Sequence, residues 1–252
     1  MKVHAVILAA GVSNRFEGNQ NKILSTYKEK ALIQYLLETY TRSNIFNTIL
    51  LLVNTKEKIF LEEIITKNTA LIDVVILEGG ETRHGSEEKA LDYLEKEGTD
   101  SKDLISIHDA ARSFINVELL SKLISTAKEY QSSVPAIKSK TIVNKDSNSL
   151  LMDQEMYYFM QTPQTFLAEE LFLSYAKAKE EGWEGVDTVE CISRYTDTKA
   201  KIIEGSELNM KITFRRDLEK IERIIKDNDL SLIHISEPTR PRLISYAVFC
   251  LK

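Results

Sequence analysis

The stretch "VILAAGVSNRFEGNQNKIL", Val6 to Leu24, decides how the chain is read. The run Val3 to Leu8 that leads into it shows no alternation of apolar and polar residues, so it reads as a strand covered on both faces, as in a parallel sheet. The residues after Leu8 therefore sit at a strand's carboxyl end, where open α/β sheets bind ligands. Ala9, Ala10 and Gly11 carry little or no side chain, so backbone N–H groups there can approach an anion, and Arg15 and Lys22 add positive charge. The stretch reads as a grip for a nucleoside triphosphate.

Further apolar runs at Thr48 to Val53, Val74 to Leu77, Leu104 to Ile107 and Val134 to Ile137 alternate with amphipathic segments, the βαβ rhythm of a doubly wound α/β fold. Between Asn116 and Tyr130, Val117, Leu120, Leu123, Ile124 and Ala127 recur at helical spacing. Asn54 with Glu57 predicts a capping box, opening a helix with Ile59, Phe60, Ile64 and Ile65 inward. Helices are also expected over Ala168 to Glu181 and from Arg216 to about Asp227, the latter with Leu218, Ile221, Ile224 and Ile225 inside, and a short strand at Lys201 to Ile203. From about 140 to 161 the rhythm stops, and turn-forming residues precede "LLMDQEMYYFMQ". That excursion reads either as a hairpin on its own domain or as an arm burying Tyr157, Tyr158 and Phe159 against a second subunit. The fold is expected to span 1–229. Residues 230–252, with two close prolines and no periodicity that continues the fold, read as a non-native tail.

Of the 252 residues 43% are hydrophobic, enough for a packed core. A net charge of −5 argues against a nucleic-acid partner, so an anionic ligand must be held by a local cluster of cations. The two cysteines, Cys191 and Cys250, form neither a CxxC pair nor a disulfide framework. No apolar run approaches the ~20 residues that span a bilayer, and the amino terminus lacks a leader pattern. The expectation is a soluble cytoplasmic protein without a membrane partner.

Polar constellations recur where strands end. "EGGETRHGS" brings Gly79, Gly80, Arg83 and Ser86; "IHDAARSF" brings His108, Asp109 and Arg112; "MQTPQTF" closes the excursion; "LNMKITF" places Lys211 and Thr213 on or beside a late strand. Cations, hydroxyls and one carboxylate at one sheet edge suit an enzyme that handles phosphates with a divalent metal. Each motif alone is also a plain turn or helix start. The histidines have no metal-ligand spacing, and neither GxGxxG nor GxxxxGK[ST] is present.

In order, "LAAGVSNRF", "NKI", "GGETRHGS", "HDAAR", "QTPQTF" and "NMKIT" resemble the motif set of the 2-C-methyl-D-erythritol 4-phosphate cytidylyltransferase family, over essentially Met1 to Asp229. The resemblance implies a Rossmann-like nucleotidyltransferase fold, a three-layer sandwich of glycosyltransferase-A-like form with a protruding dimerisation arm. It also implies a homodimer, CTP with Mg²⁺, and a methylerythritol phosphate acceptor in isoprenoid precursor synthesis. Carried over, Ala9, Ala10 and Gly11 contact cytosine and ribose, and Gly80 and Ser86 help select the base. Arg15 and Lys22 hold the triphosphate. Asp109 lies near ribose, metal and acceptor, and Lys211 on the α-phosphate. Arg112 and Thr141 face the acceptor, as do the positions of Gln154 and Val186, where the family usually has arginine and threonine. Other departures are Ser13 for a glycine, Asn21-Lys22-Ile23 for Pro-Lys-Gln, Ser113 for proline and Lys140 for aspartate. The nucleotide half thus matches better than the acceptor half. Two alternatives stand beside this reading: a ribitol-5-phosphate (polyol phosphate) cytidylyltransferase on the same scaffold, and a nucleotide-binding protein without turnover.

Overall fold

The computed structural model describes residues 1–11, 21–68, 71, 74–138 and 157–227. Among these the strands are β1 (Val3–Leu8), β2 (Thr26–Tyr27), β3 (Lys30–Ala31), β4 (Thr48–Val53), β5 (Val74–Glu78), β6 (Leu104–Asp109), β7 (Ser132–Lys138), β8 (Tyr158–Met160), β9 (Gln164–Leu167) and β10 (Ile202–Glu204). The α-helices are α1 (Leu32–Ser43), α2 (Lys58–Lys67), α3 (Arg83–Lys96), α4 (Val117–Tyr130), α5 (Ala168–Glu181), α6 (Thr188–Tyr195) and α7 (Arg216–Asp227). One sheet runs in the order β10-β7-β9-β6-β1-β4-β5, with β8 pairing off β7, while β2 and β3 form a small separate ladder.

The missing alternation in β1 has the expected cause, because both faces of the sheet are covered. Ala5 and Ile7 pack with Ile33, Leu36 and Tyr40 of α1, Leu61 of α2 and Leu120 of α4. Val6 turns the other way, toward Leu91 of α3, Leu171 of α5 and Ile192 of α6. The result is three layers. β1 pairs in parallel with β4 on one side and with β6 on the other. The chain therefore runs outward from β1 through β4 to β5, then returns past β1 to β6. That reversal is a topological switch point, and it opens a crevice at the carboxyl ends of β1 and β6.

β9 is the element that breaks the parallel pattern. It lies antiparallel to both β6 and β7, with Ile107 opposite Gln164. An antiparallel strand begins where its parallel neighbour ends, so the Gln161-Thr162-Pro163 segment arrives beside Asp109.

Two expectations are corrected. Asn54 caps a 3₁₀ turn over Thr55–Glu57, accepting from the Lys56 amide, rather than opening α2 in a capping box. α2 is consequently turned so that Leu61 and Ile65 are buried, while Ile59 is 73% and Phe60 46% exposed. Residues 210–213 form no strand; a 3₁₀ turn at Glu207–Asn209 leads into the extended link before α7. α4 and α5 occupy the expected segments, and α7 buries Ile221 and Ile225 against Leu32, Phe114 and Ile212. Of the excursion, Tyr157 and β8 are described. β8 pairs with β7, and Tyr158 and Phe159 are exposed. Ser13, Arg15, Lys140, Thr141, Gln154 and the tail 230–252 lie outside the described residues.

Candidate active site

A cavity of about 230 Å³ lies at the carboxyl ends of β1, β5 and β6. Ala9, Ala10 and Gly11 form one wall, Gly80 and Ser86 another, and Lys22, Glu81, Arg83, Asp109 and Lys211 supply its charge. The structure thus brings together every expected nucleotide-side residue that it describes.

The β1 wall is made of small residues for room more than for amide donors. Ala9 donates its N–H to the Leu52 carbonyl at 2.8 Å, continuing the ladder to β4, so that amide is not available to an anion. A Cβ added at Gly11 would meet nothing within 4 Å. Opposite it, the glycine pair after β5 is required by close approach. A Cβ on Gly79 would come within 2.4 Å of the Ala10 Cβ, and one on Gly80 within 2.5 Å of the Gly85 backbone. The Gly80 amide donates to Ser86 Oγ at 3.0 Å, and that hydroxyl donates to the Thr82 carbonyl at 2.9 Å. Thr82 caps α3 by accepting from the Gly85 amide. Ser86 therefore fixes the loop from within the first turn of the helix.

Lys22 opens a short 3₁₀ turn whose capping residue, Asn21, is buried. The Asn21 side-chain amide donates to Glu57 Oε2 at 2.7 Å and to the Gly11 carbonyl at 3.3 Å. Asparagine at this position thus ties the lysine-bearing turn to the β1 loop by hydrogen bonds.

Asp109 is the electrostatic centre. Lys211 Nζ lies 2.8 Å from Oδ2, Arg83 Nε 3.5 Å from Oδ1, and Arg112 Nε 3.9 Å from Oδ2. Burial pushes the Asp109 carboxyl pKa up, but Lys211, Arg83 and Arg112 outweigh it and hold the group well below the ordinary carboxylate range. It is ionised at any physiological pH.

Behind it stands a relay whose linkage the sequence did not reveal, although His108 and Thr162 both lie within the quoted motifs. The Asp109 amide donates to Thr162 Oγ1 at 3.0 Å, Thr162 lies 2.9 Å from His108 Nδ1, and His108 Nε2 lies 3.1 Å from the Arg112 carbonyl. A carbonyl only accepts, so Nε2 carries the proton, Nδ1 accepts from Thr162, and the hydroxyl accepts from the Asp109 amide. Burial pushes His108 down to about 4, in keeping with a neutral ring. The polar His-Asp end of an otherwise apolar buried run is the signal that could have pointed to it.

Lys211 is positioned by a second polar cluster. The Gln161 carboxamide donates to the Ser206 and Asn209 carbonyls at 2.9 and 3.2 Å, and Asn209 donates to the Thr162 carbonyl at 2.8 Å. Arg112 Nη1 donates to the Asn209 carbonyl at 2.9 Å, and Ile212 is fully buried. Arg112, expected to face the acceptor, thus also secures the segment that carries Lys211, and it does not line the cavity. Val186 is 80% exposed, ahead of α6, whose first turn is capped by Asp187.

Arg83 connects the site to the interior. Its Nη1 is 2.7 Å from Oε1 of Glu87, a fully buried carboxylate that also accepts from Thr188 Oγ1 at 2.8 Å and from the Tyr175 hydroxyl. Burial pushes the Glu87 pKa up, against Arg83 and the two hydroxyl donors. Among the described residues no cluster of three His, Cys, Asp or Glu side chains could hold a metal. The ionised carboxylate of Asp109, with Glu81 also on the cavity lining, nevertheless fits Mg²⁺, which is commonly held by one or two carboxylates together with substrate phosphates.

The family model of IspD, 2-C-methyl-D-erythritol 4-phosphate cytidylyltransferase, matches residues 3–227. The chain is 30% identical to the 2-C-methyl-D-erythritol 4-phosphate cytidylyltransferase of Geobacillus kaustophilus, over 89% of this chain and 97% of that protein. It is 35% identical to the bifunctional enzyme IspD/IspF of Pelagibacter ubique over 88% of its own length, spanning 57% of that relative. Among solved structures it resembles 4-diphosphocytidyl-2C-methyl-D-erythritol synthase from Anaerococcus prevotii, with a TM-score of 0.74 at 22% identity, covering 89% of this chain and 96% of that one. With a fold of this class, a cation-rimmed cavity centred on Asp109 and a match over nearly the whole described chain, the chain belongs to the 2-C-methyl-D-erythritol 4-phosphate cytidylyltransferase family.

Proposed function

We propose that the chain transfers CMP from CTP to 2-C-methyl-D-erythritol 4-phosphate, releasing pyrophosphate, in isoprenoid precursor synthesis. The observation that supports this most directly is the convergence of the small-residue wall, Lys22, Lys211 and Asp109 on one cavity at the switch point. An oxygen of the acceptor phosphate attacks the α-phosphorus of CTP in line; a new P–O bond forms, the bond to the β-phosphate bridge breaks, and pyrophosphate leaves with the electron pair. Both reactants are anions, so positioning and fixed positive charge carry most of the catalysis. Lys22 and Arg15 hold the triphosphate. Lys211 leaves Asp109 for the α-phosphate as the nucleotide enters. Gly80 and Ser86 define the base pocket, and Ala9, Ala10 and Gly11 leave room for cytosine and ribose. Asp109 would hold Mg²⁺, which would supply neutralisation of charge on the leaving group. Thr141, Gln154 and Val186 belong to the acceptor side.

The enzyme acts as a homodimer through the arm. The exposed side chains of β8, Tyr158, Phe159 and Met160, support this, since they sit at the arm's root. A cytoplasmic location is part of the same reading. The test is pyrophosphate release with CTP and Mg²⁺, comparing methylerythritol 4-phosphate with ribitol 5-phosphate. Release with the former is expected; release with ribitol 5-phosphate alone transfers the assignment to a polyol phosphate, and silence with both refutes turnover.

A further inference from the structure

Three cations surround Asp109, and each must yield or be restrained if a divalent ion is to reach that carboxylate. Lys211 is 45% exposed on a flexible stem and can swing to an incoming phosphate. Arg112 is engaged by the Asn209 carbonyl and stays 3.9 Å away. Arg83 is different, because its side chain is largely enclosed and cannot leave the wall of the cavity. Its nearest carboxylate oxygen belongs to Glu87, at 2.7 Å, whereas Asp109 is 3.5 Å away. Glu87 lies one helical turn further along α3, with 1% of its side chain exposed. Tyr175 and Thr188 hold it from α5 and α6, and Arg83 Nη2 also reaches Thr188 Oγ1 at 3.4 Å. A buried charge is costly unless fully partnered, and this one is partnered on both oxygens while lying outside the lining of the cavity.

We propose that Glu87 is a positioning residue whose charge holds Arg83 back from Asp109, leaving the aspartate open to the divalent cation that accompanies the nucleotide. The inference rests on the assignment of Asp109 to that cation. With Glu87 neutral, Asp109 is the nearest carboxylate left to Arg83, ahead of the more distant Asp187, and the guanidinium closes on it and competes with the metal.

The experiment is an equilibrium titration of the full chain with Mn²⁺ at saturating CTP and no acceptor, read by calorimetry and by the Mn²⁺ paramagnetic resonance signal. Glu87→Gln retains hydrogen-bonding capacity toward Tyr175 and Thr188, and it is expected to raise the Mn²⁺ midpoint about ten- to a hundredfold, the range for outer-shell residues at metal sites. Adding Arg83→Gln to that variant removes the competitor and returns the midpoint toward wild type; a merely structural role for Glu87 predicts no such return. Should Glu87→Gln not fold, Glu87→Asp withdraws the charge by one methylene and is expected to shift the midpoint in the same direction by less. An unchanged midpoint in the single variant, a shifted midpoint in the double variant, or no Mn²⁺ binding with CTP in the wild type overturns the proposal. Wild-type protein that binds Mn²⁺ with CTP yet forms no product with any acceptor overturns the assigned reaction instead, and leaves the comparison of midpoints standing.

Discussion

At the scale of single residues, the chemistry concentrates in two lysines and one aspartate. Lys22 and Lys211 come from distant parts of the chain, yet both line the cavity that contains Asp109. If their charge matters mainly in the transition state, Lys22→Ala and Lys211→Ala each lower kcat/KM by at least ~3 kcal/mol, about a hundredfold or more. Steady-state kinetics with both substrates checks this, and near-normal turnover of either variant contradicts it. Gly80 offers a steric counterpart. A methyl group there would meet the Gly85 backbone rather than a movable side chain. Gly80→Ala is therefore expected to weaken CTP binding by displacing the loop while leaving the distant packing of α7 intact, measurable as a raised Kd for CTP in calorimetry. Asp109 and Gly80 were legible in the sequence because each follows an apolar run, whereas Lys22 and Lys211 were legible through the motifs that carry the family resemblance. Thr162, Gln161 and Asn209 were quoted within motifs, but their work was not legible. It depends on β9 entering the sheet antiparallel between β6 and β7, and a four-residue strand leaves too short a pattern to reveal its partners.

At the scale of elements, the segment from Ser206 to Phe214 shows how a loop is made rigid enough to carry a catalytic lysine. Gln161 bonds two of its carbonyls, Ile212 anchors it in the core, and Asp217 accepts from the Thr213 and Phe214 amides at 2.8 Å each. Gln161→Ala leaves the Ser206 carbonyl without that donor and the Asn209 carbonyl with Arg112 alone, and is expected to cut kcat about tenfold or more through misplacement of Lys211, with a smaller change in the KM for CTP. An equal loss of the two parameters would argue against that role. Asp217 gives a pH-dependent case. Burial pushes its carboxyl up, but the two amides, Lys220 and Arg216 outweigh that and hold the pKa below its ordinary value. A depressed folded-state value means that its stabilisation is complete above the ordinary aspartate pKa and is lost as pH falls below it through the folded value. Asp217→Asn should cost about 2 kcal/mol near pH 7, and clearly less near pH 3, by urea denaturation. The sequence foresaw α7 and its inner face because amphipathic periodicity is local. It misjudged α2 because the cap at Asn54 serves a 3₁₀ turn first, which turns the next helix so that Leu61, rather than Ile59 and Phe60, meets the core.

At the scale of the whole molecule, the order β5-β4-β1-β6 accounts for the site's location, since reversal of the winding direction at β1 leaves a crevice that no crossover helix fills. The layers were legible from continuous apolar runs; the antiparallel β9 and the short α6 were not, because neither carries a long periodic signal. The arm adds a prediction about assembly. Replacing Tyr158 and Phe159 with serine is expected to shift the protein from dimer to monomer in sedimentation while CTP binding persists, and a dimer that survives both changes would place the interface elsewhere. The central claim is transfer of a cytidylyl group, and its most direct measurement uses CTP labelled at the α-phosphorus with methylerythritol 4-phosphate and Mg²⁺. Label appearing in a diphosphate-bridged product, in equal amount to the pyrophosphate released and lost in Lys211→Ala, is the predicted result. Pyrophosphate released while the label stays in free CMP, or no turnover by a chain that binds CTP, would contradict it.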